Sequence, residues 1–139
     1  MSYSFKAENT EACIEISNLR LLDNDSCHVT FDVCFSHLDY AHKVNFSEML
    51  VYRLKMGKYI FDENDTSKQL HFEPEHICLK ILPEPDRFFE SEVTYRIWLE
   101  KHIMDDFLIE FSAYLDLLAE EGMERYNSGQ AEQGLSCTL

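Results

Sequence analysis

The sequence predicts an α+β fold, an antiparallel β-sheet with helices packed on one face and a C-terminal helix that closes the core. Three observations support this class. Apolar and polar residues alternate in several segments between residues 13 and 103, which is the period of half-buried strands. Apolar residues then recur at helical spacing after residue 104. The connections between the predicted strands have hairpin length, which favours antiparallel pairing and leaves one sheet face open to water or to a partner.

The predicted strands of the first half follow one another closely. Residues 1–10 form a loose arm or an edge strand. Residues 13–22 form a strand whose alternation slips at Ser17 and Asn18, which indicates a bulge. Residues 27–36 alternate most clearly, and the same period continues over residues 38–46, either as a second strand after a turn or as one long bent strand.

The second half contains a segment of open assignment and then clearer elements. Residues 47–57 fit a helix capped by Ser47, but they also fit a strand. Residues 70–72 and 76–82 predict short strands, and residues 87–103 predict a long one. The last helix is expected to begin at Asp105–Asp106, where negative charge suits the helix dipole.

Gly122 then suits the end of this helix. We therefore expect a single domain over residues 1–123 and a disordered tail over residues 124–139.

Charge is the most unusual property of the composition. The chain has 139 residues, with 12 Lys and Arg against 26 Asp and Glu, which gives a formal net charge of −14. This balance disfavours direct binding to nucleic-acid phosphate. The 10 Phe, 7 Tyr and 1 Trp disfavour a disordered chain.

No signal peptide or membrane span is visible, and the five cysteines are scattered without a CxxC pair. These features predict a cytoplasmic protein with reduced thiols that makes no contact with a membrane.

Residues that suggest catalysis or metal binding are few. His71, Glu73, Glu75 and His76 lie within six residues, but Pro74 excludes a regular helix there and no HExxH motif is present. A solvated turn is therefore favoured over a metal site. His28 and Cys34 share a strand face about 20 Å apart, too far for a catalytic pair. No Gly-rich phosphate loop occurs, so we predict no catalytic residues and no cofactor.

The charge instead favours a binding role. A net charge of −14 exceeds the magnitude of about 2–8 that solubility requires, so we expect an acidic face that attracts a basic protein partner. The predicted contacts are acids of an exposed loop and residues on the outward face of the long strand, with Trp98 as an aromatic anchor. They are Asp62, Glu63, Asp65, Glu90, Glu92, Trp98 and Glu100.

The order of patterns also resembles a known family. Residues 14–19 (IEISNL) precede the alternating residues 29–33 (VTFDV), and a strand–turn–strand follows through residues 72–81. With the Leu-rich closing helix, this layout resembles the WapI-like immunity proteins of bacterial polymorphic and contact-dependent toxin systems. The resemblance implies one-to-one inhibition of a basic toxin domain by covering its active site.

Two other functions stay open. The first is an adaptor or an oligomeric subunit of a larger complex, which would present a flat apolar patch in place of a charged face. The second is a small metal-binding protein or enzyme that uses His71 and His76.

Overall fold

The computed structural model describes residues 2–56, 59–62, 67–83 and 91–133, and these ranges contain eight strands and two helices. The first half runs β1 (Tyr3–Glu8), β2 (Ala12–Leu21), β3 (His28–His37), β4 (Tyr40–Leu50) and α1 (Val51–Met56). The second half repeats this order with β5 (Tyr59–Phe61), β6 (Lys68–Phe72), β7 (His76–Ile81), β8 (Val93–Trp98) and α2 (Lys101–Gln133).

Each half forms its own antiparallel sheet with the strands in sequential order. The first sheet contains β1 to β4, and the second contains β5 to β8. The predicted α+β class and antiparallel pairing are confirmed, but the strands divide between two sheets instead of forming one.

Alternation along the strands produces the core. In the first sheet Ile14, Ile16, Phe31 and Val33 are fully buried, while their neighbours Glu15 and Asp32 point to the other face. Tyr95 of the second sheet lies 5.3 Å from the Phe35 ring and 5.2 Å from the His42 ring, so the buried faces of the two sheets meet there.

The C-terminal helix closes this core, as predicted. The Phe5 ring of β1 lies 4.9 Å from Phe107, 5.4 Å from Phe111 and 5.1 Å from Tyr114. Phe72 of β6 lies 5.6 Å from Phe111, so α2 contacts both sheets. Such ring pairs contribute beyond the area that they bury.

Two bulges bend the first sheet. The β2–β3 register shifts between Ser17 and Arg20, and Asn18 has a positive φ of 55°, which confirms the predicted bulge. The β3–β4 register shifts between Val29 and Phe31, where Glu48 on β4 has a φ of 61°. This second bulge lets β4 continue to Leu50, so a helix cap at Ser47 is wrong and α1 begins only at Val51.

The boundaries of α2 differ from those predicted. Residues 91–92 and 99–100 lie outside β8, although the sequence predicted a strand over residues 87–103. The helix begins at Lys101, with the Met104 N–H bonded to the Glu100 carbonyl at 3.0 Å. The helix does not end at Gly122, so residues 124–133 are helical where we expected disorder. Residues 134–139 lie outside the described residues.

A tertiary contact at Gly122 explains why α2 continues past this residue. A Cβ placed on Gly122 would lie 2.1 Å from the Ser26 carbonyl oxygen, so glycine here permits the helix to cross the β2–β3 turn. Arg125 then donates to the carbonyls of Leu22 at 2.7 Å and Asp25 at 3.0 Å. These bonds hold the helix on the turn beyond the residue where glycine alone would predict an end.

Neither helix of the described ranges combines the length and the apolar composition that a membrane span requires. Cys13, Cys34 and Cys78 are free thiols, whereas Cys27 is disulfide-bonded. The prediction of a reduced thiol is therefore wrong at Cys27, because pairing depends on tertiary proximity that cysteine spacing does not reveal.

Candidate binding surface

Asp62, the first residue of the predicted acidic loop, is buried. Asp62 is only 6% exposed, and its carboxylate accepts the Ser47 backbone N–H of β4 at 3.1 Å and lies 3.8 Å from the Lys68 ammonium of β6. Lys68 in turn donates to the Asn45 carbonyl at 2.6 Å. Asp62 therefore connects the two sheets, and its prediction as a partner contact is corrected on this ground. Glu63 and Asp65 lie outside the described residues.

The structure describes three of the four predicted contact residues around β8. Trp98 is 57% exposed, with its ring 4.4 Å from His76, and Glu92 and Glu100 are exposed. Glu92 precedes β8 and Glu100 follows it, so the two acids lie near opposite ends of the strand and only Glu100 is close in sequence to Trp98. Glu90 lies outside the described residues.

The histidines considered for a metal site have other surroundings. His71 and His76 lie on the same face of the second sheet, and His71 Nε2 is 3.0 Å from Gln69 Oε1. Burial and the nearby Lys80 hold the pKa of His71 below its usual value. Across the described ranges, His71, Glu73, Glu75 and His76 do not form a group of three ligands within coordinating reach.

Within the described ranges, one group of three potential metal ligands does occur, at the β2–β3 turn. Ligand atoms of Asp25, Cys27 and His28 lie within 4.8 Å of one another. Since Cys27 is disulfide-bonded, its sulfur is not the thiolate that metals bind. The Asp25 carboxylate accepts the backbone N–H groups of Cys27 at 2.8 Å and His28 at 2.9 Å, which is the structural role of an Asx turn.

The outer face of the first sheet carries a polar network around Asp32. Asp32 accepts bonds from Asn18 at 2.9 Å and Asn45 at 3.0 Å, and the Lys43 ammonium lies 3.5 Å away. Burial raises the pKa of Asp32, but these donors and the Lys43 charge outweigh it and hold the pKa below its usual value. Because Asn18 is the residue at the β2 bulge, its bond to Asp32 helps to hold that bulge in place.

A further group of exposed carboxylates lies on α2. Over residues 101–128 the exposed side of this helix presents six carboxylates, which we call the acidic helix face. They are Asp105, Asp106, Glu110, Asp116, Glu120 and Glu124. The spacing places all six on one side of a helix with 3.6 residues per turn. Of these six carboxylates, only that of Asp116 forms an ion pair with another described residue, the Lys55 ammonium at 2.5 Å.

Large apolar side chains interrupt these charges. Ile109 is 67% exposed, Leu117 45% and Met123 59%, and all three lie on the acidic helix face. They stand eight and six residues apart, so each one is flanked by carboxylates of the face. Apolar anchors among charges are typical of a protein-binding surface.

A cleft adjoins this face. Its volume is about 370 Å³, and it lies between α1, the β6–β7 turn and α2. Six apolar residues line it: Leu54, Phe72, Pro74, Leu108, Phe111 and Leu115. Lys55, Glu73 and Ser112 supply its polar lining.

Comparison with known proteins defines the fold and not the function. No protein-family model and no curated protein matches the chain. A solved structure, WHY1 from Arabidopsis thaliana, aligns with a TM-score of 0.52 and 11% sequence identity over 86% of this chain and 92% of that chain. An identity of 11% indicates a shared arrangement of strands and helices, with no transfer of site residues.

The sequence contained a signal for the acidic helix face. Projecting residues 105–124 onto a helix gathers the six carboxylates on the side opposite Phe107, Phe111, Leu115 and Leu118, which form the buried stripe. The buried stripe alone predicts the helix, whereas the carboxylates on the opposite side are the signal that locates the acidic helix face.

Proposed function

We propose that this protein is a non-enzymatic binding protein that docks a basic protein partner on the acidic helix face. The observation that supports the proposal is the row of six exposed carboxylates interspersed with Ile109, Leu117 and Met123. Following the resemblance to immunity proteins, the partner we propose is a toxin domain whose active site the docked protein covers.

The charges supply attraction and orientation. Three carboxylate pairs on the face are four residues apart: Asp106 with Glu110, Asp116 with Glu120, and Glu120 with Glu124. Like charges at this spacing destabilise a helix by about 0.2–0.5 kcal/mol per pair. Lysine and arginine side chains of a partner relieve this repulsion and accelerate encounter at low salt.

The apolar residues supply affinity at short range. Ile109, Leu117 and Met123 lie at intervals of eight and six residues, so they follow one side of the helix over about four turns. Burying them against a partner removes exposed apolar area from water at about 25 cal/mol per Å². A second copy of this chain is a poor partner for the same face, because the two sets of carboxylates would repel.

The test is a charge reversal with a matched control. Glu110→Lys combined with Glu120→Lys reverses two charges on the acidic helix face. Glu8→Lys combined with Glu11→Lys makes the same change in net charge at the β1–β2 turn, where both residues are exposed. Fluorescence anisotropy then measures the affinity of each protein for a labelled lysine-rich peptide over a series of salt concentrations.

We expect the helix variant to lose about tenfold in affinity at low salt and the turn variant to lose much less. Equal losses would show that net charge alone matters, and they would contradict the proposed surface. A wild-type affinity that does not fall with salt would exclude electrostatic attraction.

A capture experiment addresses the partner. Immobilised wild-type protein, the helix variant and the turn variant are incubated with the same native lysate, and bound proteins are identified by mass spectrometry. The proposal expects a basic protein on the wild type and on the turn variant that is absent from the helix variant.

A further inference from the structure

We propose that the cleft beside α2 receives one large apolar side chain of the basic partner, with a flanking lysine or arginine of that partner bound at Glu73. This inference rests on the proposed function and names the contact that gives it specificity. The occupant is a segment of a basic protein that has an aromatic or large aliphatic residue next to a cation.

The floor of the cleft fits an apolar group. Leu54, Phe111 and Leu115 are at most 4% exposed, and the partly exposed Phe72 and Leu108 complete the walls. The volume of about 370 Å³ is at the lower end of the range of about 300–1,000 Å³ typical of ligand sites. This space accommodates one large apolar side chain.

The charge at the rim of the cleft favours a cation next to the bound apolar side chain. Glu73 is exposed at the cleft, and across the described ranges its carboxylate has no ion pair. The Lys55 ammonium is already bound to Asp116, which belongs to the acidic helix face. The unpaired charge at the opening is therefore negative, and an approaching cation is favoured over an anion.

Position connects the cleft to the proposed docking surface. Leu108, Ser112 and Leu115 line the cleft from α2, and Asp105, Asp116 and Ile109 lie beside them on the same helix. The Lys55–Asp116 ion pair lies at the border between the two. A partner that covers the acidic helix face therefore passes over the opening of the cleft, as a central anchor of an interface requires.

The test uses two lysine-rich peptides that differ at one central residue, phenylalanine or alanine. We expect the wild-type protein to bind the phenylalanine peptide about tenfold more tightly. Ser112→Trp fills the cleft from its exposed rim and should abolish this preference while retaining affinity for the alanine peptide. Ser128→Trp makes the same substitution at an exposed position further along α2 and should retain the preference.

A second measurement locates the side chain. Methyl NMR signals of Leu54 and Leu115 should shift with the phenylalanine peptide and remain in place with the alanine peptide. Thermal unfolding of both tryptophan variants checks that each is folded.

The outcomes separate the two proposals. Equal binding of the two peptides by the wild type, or a preference that survives Ser112→Trp, contradicts the cleft contact and leaves the acidic helix face intact. If neither peptide binds the wild type, the proposed function fails and the cleft contact fails with it.

Discussion

Asp62 illustrates how a residue's surroundings decide its role. Its carboxylate is buried between the sheets, where it accepts the Ser47 N–H and faces Lys68. The sequence around it, Asp62-Glu63-Asn64-Asp65, has the composition of a solvated loop. The contact that buries Asp62 comes from residues up to 15 positions away, which local composition does not encode.

We therefore predict that Asp62→Ala lowers the free energy of unfolding and does not change partner binding. Loss of the carboxylate leaves the half-buried Ser47 N–H and the Lys68 ammonium without this acceptor, which costs about 1–3 kcal/mol in the free energy of unfolding. Urea denaturation measures the change. Glu100→Ala, at an exposed acid, serves as the control and should change stability by less than about 0.5 kcal/mol.

Asp32 should make stability dependent on pH. Its folded-state pKa lies below the unfolded value of about 3.9, so the carboxylate contributes stability above that pH. The contribution is lost as the pH falls through the folded-state pKa, because protonation then removes the negative charge that strengthens the bonds from Asn18 and Asn45. Asp25 has the same sign, since its backbone and His28 bonds lower its pKa despite the opposing effect of burial.

The measurement compares wild type with Asp32→Asn by urea denaturation from about pH 7 to about pH 2. We expect the variant to be less stable by a constant amount above about pH 5, with the difference shrinking in acid. A difference that grows as the pH falls would contradict the sign. Asn45→Ala, which removes one donor, should raise the pKa of Asp32 measured by carboxyl NMR.

At the scale of elements, alternation predicted the strands of the first sheet because each has one buried face. Residues 38–46 belong to a separate strand, β4, as one of the two alternatives had it. The prediction for residues 47–57 stayed open because both periods fit, and the structure divides the segment between the end of β4 and α1. The dividing feature is the bulge at Glu48, which depends on its pairing with β3.

Gly122 gives a prediction with an unusual sign. Glycine to alanine inside a helix ordinarily stabilises a protein by about 1 kcal/mol. Here the new methyl group would overlap the Ser26 carbonyl oxygen, so Gly122→Ala should lower the melting temperature. Asn127→Ala, at an exposed position of the same helix, should leave it unchanged or raise it slightly. Thermal unfolding by circular dichroism measures both, and a stabilised Gly122→Ala would mean that the helix does not cross the turn this closely.

For the whole molecule, the sequence predicted the α+β class and the closing helix but not the number of sheets. Inward and outward periodicity is the same whether β4 and β5 belong to one sheet or to two, since it reports burial and not the neighbouring strand. The net charge predicted an acidic surface in general terms. Its location depends on which helix residues the sheets cover, and that is a tertiary property.

The packing of Phe5 against Phe107, Phe111 and Tyr114 joins parts of the chain that are synthesised far apart in time. A ribosome releases β1 long before α2 exists, so the nascent polypeptide presents the Phe5 ring to water, or to a chaperone, until the last helix emerges. Folding is thus completed only after translation of α2, and a prematurely terminated product would expose an aromatic strand edge that is prone to aggregation.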